Sequence, residues 1–219
     1  MKSLAEARLY TFVDTSFLRG RSPADTAHRL IEGGSDIIQL RAKGLPEAEV
    51  RRMAEAILPI TRDAGVPLVL NDHWRLALAL GCDFAHLGQE DFFNAGHAHV
   101  RELSAPKTRP LQIGLSTHAP EQARRALDAG PAYLAIGPVF PTATKPGAPP
   151  VTLDYVRWAA AHVTLPWFAI GGINLSTLDS VLEAGARRIC VVSAILNAPD
   201  IARACQQFKE RVISAASKN

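Results

Sequence analysis

The stretch "IEGGSDIIQLRAKG", Ile31–Gly44, carries the pattern on which the fold turns. A helix-like run closes in glycine. Ser35 and Asp36 follow, and then an apolar run begins. Read as a strand, that run puts Ile38, Leu40 and Ala42 on one face and Ile37, Gln39, Arg41 and Lys43 on the other. The first face is apolar. The second holds an amide and two cations, which suits either a protein surface or the lining of a charged site.

The same unit recurs in "TRDAGVPLVL", "LALGCDFAHL", "LDAGPAYLAI" and "LEAGARRICV". In each, a glycine (Gly34, Gly65, Gly81, Gly130 or Gly185) suits a left-handed helix end. The apolar run after it suits a buried parallel strand. The pattern predicts strands over 8–14, 36–42, 67–71, 84–88, 111–116, 133–140, 166–171 and 188–193, each followed by a helix. Ser22 and Pro23 form a helix start, and Pro120 and Thr152 lie near two others. Val50, Met53, Ala54, Ile57 and Leu58 share a helical face, with a kink expected at Pro59. Eight βα units in 219 residues, with no break in composition, predict one (β/α)8 (TIM) barrel over residues 1–219. A doubly wound open sheet also alternates strands and helices, but no GxGxxG turn is present. A closed barrel has no edge, so Gln39, Arg41 and Lys43 are expected to point inward.

Composition is that of an ordinary globular chain, 47% hydrophobic and 21% charged. A net charge of +3, without a basic block, argues against a nucleic-acid partner. No apolar run is long enough to span a bilayer, and "MKSLAEARLYTFV" has no signal-like apolar core. Cys82, Cys190 and Cys205 have no CxxC spacing and read as buried, reduced thiols. The expectation is a cytoplasmic protein with small-molecule partners. Homo-oligomerisation is left open.

Barrel active sites lie at the C-terminal ends of the strands. Strand 3 ends in Asn71 and Asp72, and strand 4 runs into Gln89, Glu90 and Asp91. Asp72 alone reads most simply as a turn residue or a helix N-cap. Two acids on adjacent strands beside two cations suit Mg²⁺, which takes one or two carboxylates and fills its shell with water and phosphate. Ser116, Thr117 and His118 end strand 5, where a hydroxyl either touches substrate or caps the next helix. Thr142, Thr144 and Lys145 lie on a long loop after strand 6, with Gly147, Pro149 and Pro150 closing it. Gly171, Gly172 and Ser193 follow strands 7 and 8, a common phosphate site of barrels. Two anion walls, one reinforced by a metal, are more than a single monophosphate needs. They point to displacement of a diphosphate group beside a second, monophosphorylated substrate.

Seven motifs in order, "QLRAK", "LND", "HLGQED", "GLSTH", "GPVFPTATK", "AIGGI" and "VVSAI", resemble those of the thiamine-phosphate synthase family. The resemblance runs from "LYTFVD" to "VVSAIL". It implies coupling of hydroxymethylpyrimidine diphosphate to hydroxyethylthiazole phosphate, through loss of diphosphate and a pyrimidine methylene cation. It implies a pyrimidine-diphosphate site at Gln39, Leu40, Arg41, Ala42, Lys43, Asn71, Ser116 and Lys145, with Arg41, Lys43, Ser116 and Lys145 catalytic. It also implies Mg²⁺ on Asp72 and Asp91, and a thiazole-phosphate site at Thr142, Ala143, Thr144, Gly172, Val192 and Ser193. The chain departs from the family's usual Glu at Ala42, from a frequent Arg at His73, and at Phe92-Phe93. Rival readings are a thiazole tautomerase, a non-catalytic thiamine-phosphate sensor and another phosphate-binding barrel.

Overall fold

The computed structural model describes residues 3–104, 111–142 and 150–216. Eight strands pair in parallel and in sequence order, and β8 returns to β1 to close the barrel. They are β1 (Leu9–Asp14), β2 (Ile37–Arg41), β3 (Leu68–Asn71), β4 (Phe84–Gly88), β5 (Gln112–Thr117), β6 (Tyr133–Ile136), β7 (Trp167–Ile170) and β8 (Ile189–Cys190). The outer layer contains α1 (Pro23–Glu32), α2 (Glu47–Asp63), α3 (Trp74–Leu80), α4 (Gln89–Asn94), α5 (Pro120–Asp128), α6 (Thr152–His162), α7 (Leu178–Glu183), α8 (Ser193–Leu196) and α9 (Ile201–Ala216).

Local signals carry through. Gly34, Gly65, Gly81, Gly130 and Gly185 all have positive φ, as left-handed helix ends require. Ser22 caps α1, its side chain accepting from the Asp25 N–H at 3.0 Å. Helix α2 runs through Pro59. Most strands fall within a residue of the expected ends, and two stop well short of them. β6 stops at Ile136 rather than 140, because Gly137 and Pro138 break the ladder. Val139 and Phe140 still donate to Ile170 and Gly171 carbonyls, at 2.9 and 3.1 Å. β8 stops at Cys190 rather than 193, since Ser193 already opens α8.

The barrel interior holds a buried polar chain. Gln39 Nε2 donates to the Tyr10 hydroxyl at 2.6 Å. The Tyr10 and Tyr133 hydroxyls are 3.0 Å apart, and Tyr133 lies 3.1 Å from His86 Nδ1. Both phenol protons are used if Tyr10 donates to Tyr133 and Tyr133 donates to His86. Burial raises both phenol pKa values and lowers that of His86 from 6.5 to about 4, so the chain is neutral. Tyr133 fits because its neighbour on β5 is Gly114: a Cβ there would lie 2.1 Å from the Tyr133 ring.

The opposite end of the barrel is tied by Asp36. This buried carboxylate accepts from the Arg8 and Leu9 N–H groups at 2.7 and 3.0 Å and pairs with Lys209 of α9. Asp36→Ala removes all three contacts and is expected to cost about 3 kcal/mol in urea unfolding; a cost under about 0.5 kcal/mol, the level of an ordinary surface substitution, would refute it.

His86 makes stability depend on pH. Its native pKa lies below its unfolded value, so its contribution is complete above pH 6.5 and is lost as pH falls towards about 4. The loss should approach about 3 kcal/mol. His86→Gln should therefore lose less stability than the parent chain across that window. Parallel unfolding profiles for the two would contradict the assignment.

Candidate active site

A cavity of about 170 Å³ opens at the C-terminal ends of the strands. All eight strands or the loops after them contribute to its wall. β2 supplies Gln39 and Arg41, and Lys43 follows just beyond it, so the inward face read from the alternation is the face that lines the cavity. Leu40 and Ala42 are buried away from it.

Arg41 is held from the neighbouring strand. β1 and β2 pair with Asp14 opposite Arg41, and Asp14 Oδ2 accepts from Arg41 Nη1 at 2.8 Å. The Asp14 side chain is 1% exposed, and its Oδ1 accepts from the Ser16 N–H at 3.0 Å. Lys43 lies 3.8 Å from Asp72, with 58% and 41% of the two side chains exposed. Such a pair is weak in water, and both groups exchange partners at little cost.

Asp72 sits in the left-handed region, at φ 64°, where a non-glycine residue carries strain. Its N–H donates to the His86 carbonyl at 2.9 Å, and Asn71 Nδ2 donates to its Oδ2 at 2.6 Å. It is thus no helix cap: that position before α3 belongs to His73. Asp91 lies in the first turn of α4 and faces the same cavity as Asp72. Its neighbours diverge. Gln89 is buried, and Glu90 accepts from Gln122 of α5 at 3.2 Å. Among the described residues no cluster of three or more His, Cys, Asp or Glu gathers as a metal site. The carboxylates of Asp72 and Asp91 are what the cavity offers a hard cation.

Strand 5 divides its polar residues. Ser116 and His118 line the cavity. Thr117 points away and bonds Tyr155 at 2.7 Å, and α5 is entered through Ala119, so neither hydroxyl caps it. His118 Nδ1 contacts the Gly137 carbonyl, while its backbone N–H donates to Gln122 Oε1 at 2.7 Å.

The far wall is backbone-rich. Gly171 and Gly172 have φ of 104° and 64°, and a Cβ on either would fall 2.4 or 2.6 Å from Pro138 or Phe140. This close approach lets the loop after β6 lie on the loop after β7 and brings Thr142 beside Gly172. Val192 and Ser193 complete the wall. Ala143, Thr144 and Lys145 lie outside the described residues.

Sequence reasoning passed over four residues here: Asp14, which anchors Arg41, and Tyr10, His86 and Tyr133, which form the polar interior. Asp14 ends its strand as Asp72 follows β3, a parallel visible in "LYTFVD" and "LVLND". Of the departures from the resembled family, Phe92 is buried and Phe93 carries Arg125 over its ring at 3.7 Å. Neither residue lines the cavity.

Known proteins resemble this chain in sequence and fold. The sequence model of the family described as thiamine monophosphate synthase matches residues 9–195. A thiamine-phosphate synthase of Thermus thermophilus is 48% identical over 193 residues, covering 88% of this chain and 90% of that protein. The thiamine-phosphate synthase of Acidothermus cellulolyticus is 45% identical over 216 residues, covering 98% and 99%. The solved thiamine phosphate pyrophosphorylase of Pyrococcus furiosus superposes with a TM-score of 0.79 at 27% identity, covering 95% of this chain and 96% of that one. With its barrel, its charged β2 face and its backbone-rich far wall, the chain belongs to the thiamine monophosphate synthase family.

Proposed function

We propose that the chain is a Mg²⁺-dependent thiamine-phosphate synthase. It joins hydroxymethylpyrimidine diphosphate to hydroxyethylthiazole phosphate and releases diphosphate. One observation carries this reading. A single cavity has Arg41, Lys43, Asp72 and Asp91 on one side and Gly172, Val192 and Ser193 on the other. One side suits a metal-bound diphosphate and the other a monophosphate.

On the first wall, Arg41 and Lys43 take phosphate oxygens, with Lys145 as a further cation from the sequence motif. Lys43 leaves Asp72 at little cost, which frees that carboxylate for a cation. An oxygen-only donor set of two carboxylates fits Mg²⁺, with diphosphate and water supplying the other ligands. Bound there, the metal would neutralise charge on the departing diphosphate. Gln39 and the neutral His86 line the cavity between the two walls, where the pyrimidine ring would rest without meeting a further positive charge. Ser116 and His118 border the same space. On the second wall, Gly172 and Ser193 offer backbone N–H groups and a hydroxyl to the thiazole phosphate. Bringing both rings into one cavity supplies orientation and excludes water, and no protein nucleophile is needed.

A tautomerase has no use for the charged β2 wall, so that wall favours the synthase. No helix among the described residues is long and apolar enough to cross a membrane. The three cysteines are buried and unpaired, which supports work in a reducing cytoplasm.

The decisive assay supplies both substrates with Mg²⁺ and follows thiamine phosphate and diphosphate together. Equimolar formation is expected, and product binding without turnover would make the chain a sensor. Asp91→Asn should lower the coupling rate about a hundredfold while the barrel still melts cooperatively. A rate indifferent to both Asp91→Asn and Mg²⁺ concentration would remove the metal. Ser193→Asp places like charges together and should raise the thiazole-phosphate KM while leaving that of the diphosphate substrate near its parent value. An unchanged thiazole-phosphate KM would move the monophosphate elsewhere.

A further inference from the structure

We infer that the loop after β1 is the positioning element of both walls, with Asp14 serving the diphosphate substrate and Arg21 serving the thiazole phosphate. The inference rests on the synthase reading of the cavity and adds two residues that do not line it.

Asp14 sits at one end of the loop. Its buried carboxylate has both oxygens engaged, one by the Ser16 N–H and one by Arg41 Nη1. The Ser16 bond ties the carboxylate to the loop's own first turn, Thr15–Phe17. The Arg41 bond spans the strand pair in register. Arg41 is the residue of this pair that reaches the cavity, with 15% of its side chain exposed. A guanidinium is a planar fork, so fixing one nitrogen fixes the plane in which the others meet phosphate. Asp14 therefore sets the angle of a phosphate-binding group without touching the phosphate.

Arg21 sits at the other end. Its Nη2 donates to the Phe17 carbonyl at 2.8 Å and to the Leu196 carbonyl at 2.7 Å. Leu196 is the last residue of α8, whose first residue is Ser193 on the monophosphate wall. One nitrogen thus joins the loop after β1 to the short helix that presents Ser193. Helix α8 has a single turn and little stability of its own, so an outside tie to its C-terminal carbonyl holds its place. The arrangement leaves Arg21 Nε buried with no hydrogen-bond partner among the described residues, a cost that a solvent-facing arginine would not carry.

The two ends are tied to different walls, so they should fail separately. Asp14→Asn keeps the size of the side chain and an oxygen for the Ser16 N–H while removing the charge. It should weaken binding of inorganic diphosphate with Mg²⁺, and raise the KM for the pyrimidine diphosphate, roughly tenfold or more. The KM for thiazole phosphate should stay within about twofold of the parent, a change too small to mark a lost contact. Arg21→Gln should do the reverse, and Arg21→Lys, which keeps a donor, should recover part of the loss. Kinetics on both substrates, calorimetric titration with diphosphate and melting curves together read the result. If either variant moves both KM values equally, or neither, the loop is general scaffolding and the inference is overturned. Asp14→Asn is also built on Arg41→Gln, where no buried charge is left unpaired even if the single variant does not fold. Adding it there should change the diphosphate KM no further, and a second, additive rise would overturn the link. If the parent protein binds diphosphate but Asp14→Asn binds it equally well, the inference is likewise overturned. If the parent binds neither diphosphate nor thiazole phosphate, the synthase reading falls and takes this inference with it.

Discussion

Closure of the sheet is the constraint on which everything else depends. Eight parallel strands with β8 hydrogen-bonded to β1 leave no edge, so alternate side chains on every strand must share the interior. At mid-depth the barrel meets this with aromatic rings in edge contact, such as Tyr10 with Phe168 at 5.4 Å, and with a polar chain that satisfies itself. Towards the C-terminal end the rings give way to Arg41, Lys43, Asp72 and Asp91 around a cavity. The transition falls within β2. Gln39 closes the core network, and Arg41, two residues on, lines the cavity and bonds Asp14.

The parts of this molecule legible in its sequence are those set by short range. Glycine after an amphipathic run foretold five left-handed helix ends, because backbone sterics act within a residue or two. Alternation in Ile37–Lys43 foretold which side chains face the cavity, because the pleat is local. Strand ends were harder. Val191 still bonds the Tyr10 carbonyl at 3.0 Å, yet Ser193 has turned into a helix, and only the position of α8 against its neighbours decides between them. The pairing of Arg41 with Asp14 was not legible at all. Asp14 stands 27 residues away, and the register that sets them side by side is a property of the closed sheet. The same holds for Tyr10 and Tyr133, separated by 123 residues.

The cavity's charges alter the picture of a bare cationic site. Arg41 meets Asp14, and Lys43 meets Asp72. These two pairs differ in kind. Asp14 is buried and cannot leave Arg41 without stranding a charge, which costs several kcal/mol. Asp72 and Lys43 stand in water, where their attraction is worth about 1 kcal/mol or less. A ligand entering the cavity would therefore leave the first pair in place and rearrange the second. The fixed pair supplies direction, and the loose pair supplies a carboxylate and an ammonium, each ready to change partner.

Ala42 marks the boundary between these roles. It lies between Arg41 and Lys43, is buried at 4% exposure, and stays off the cavity wall. A carboxylate at that position would have to find a partner among buried apolar neighbours or turn outward to the rim, since the inward face is already taken by Arg41 and its Asp14 tie. Engagement of Arg41 by Asp14 comes across the β1–β2 pair and does not pass through position 42. It places the orientation of the guanidinium under the control of β1 and of the loop that continues from it to Arg21.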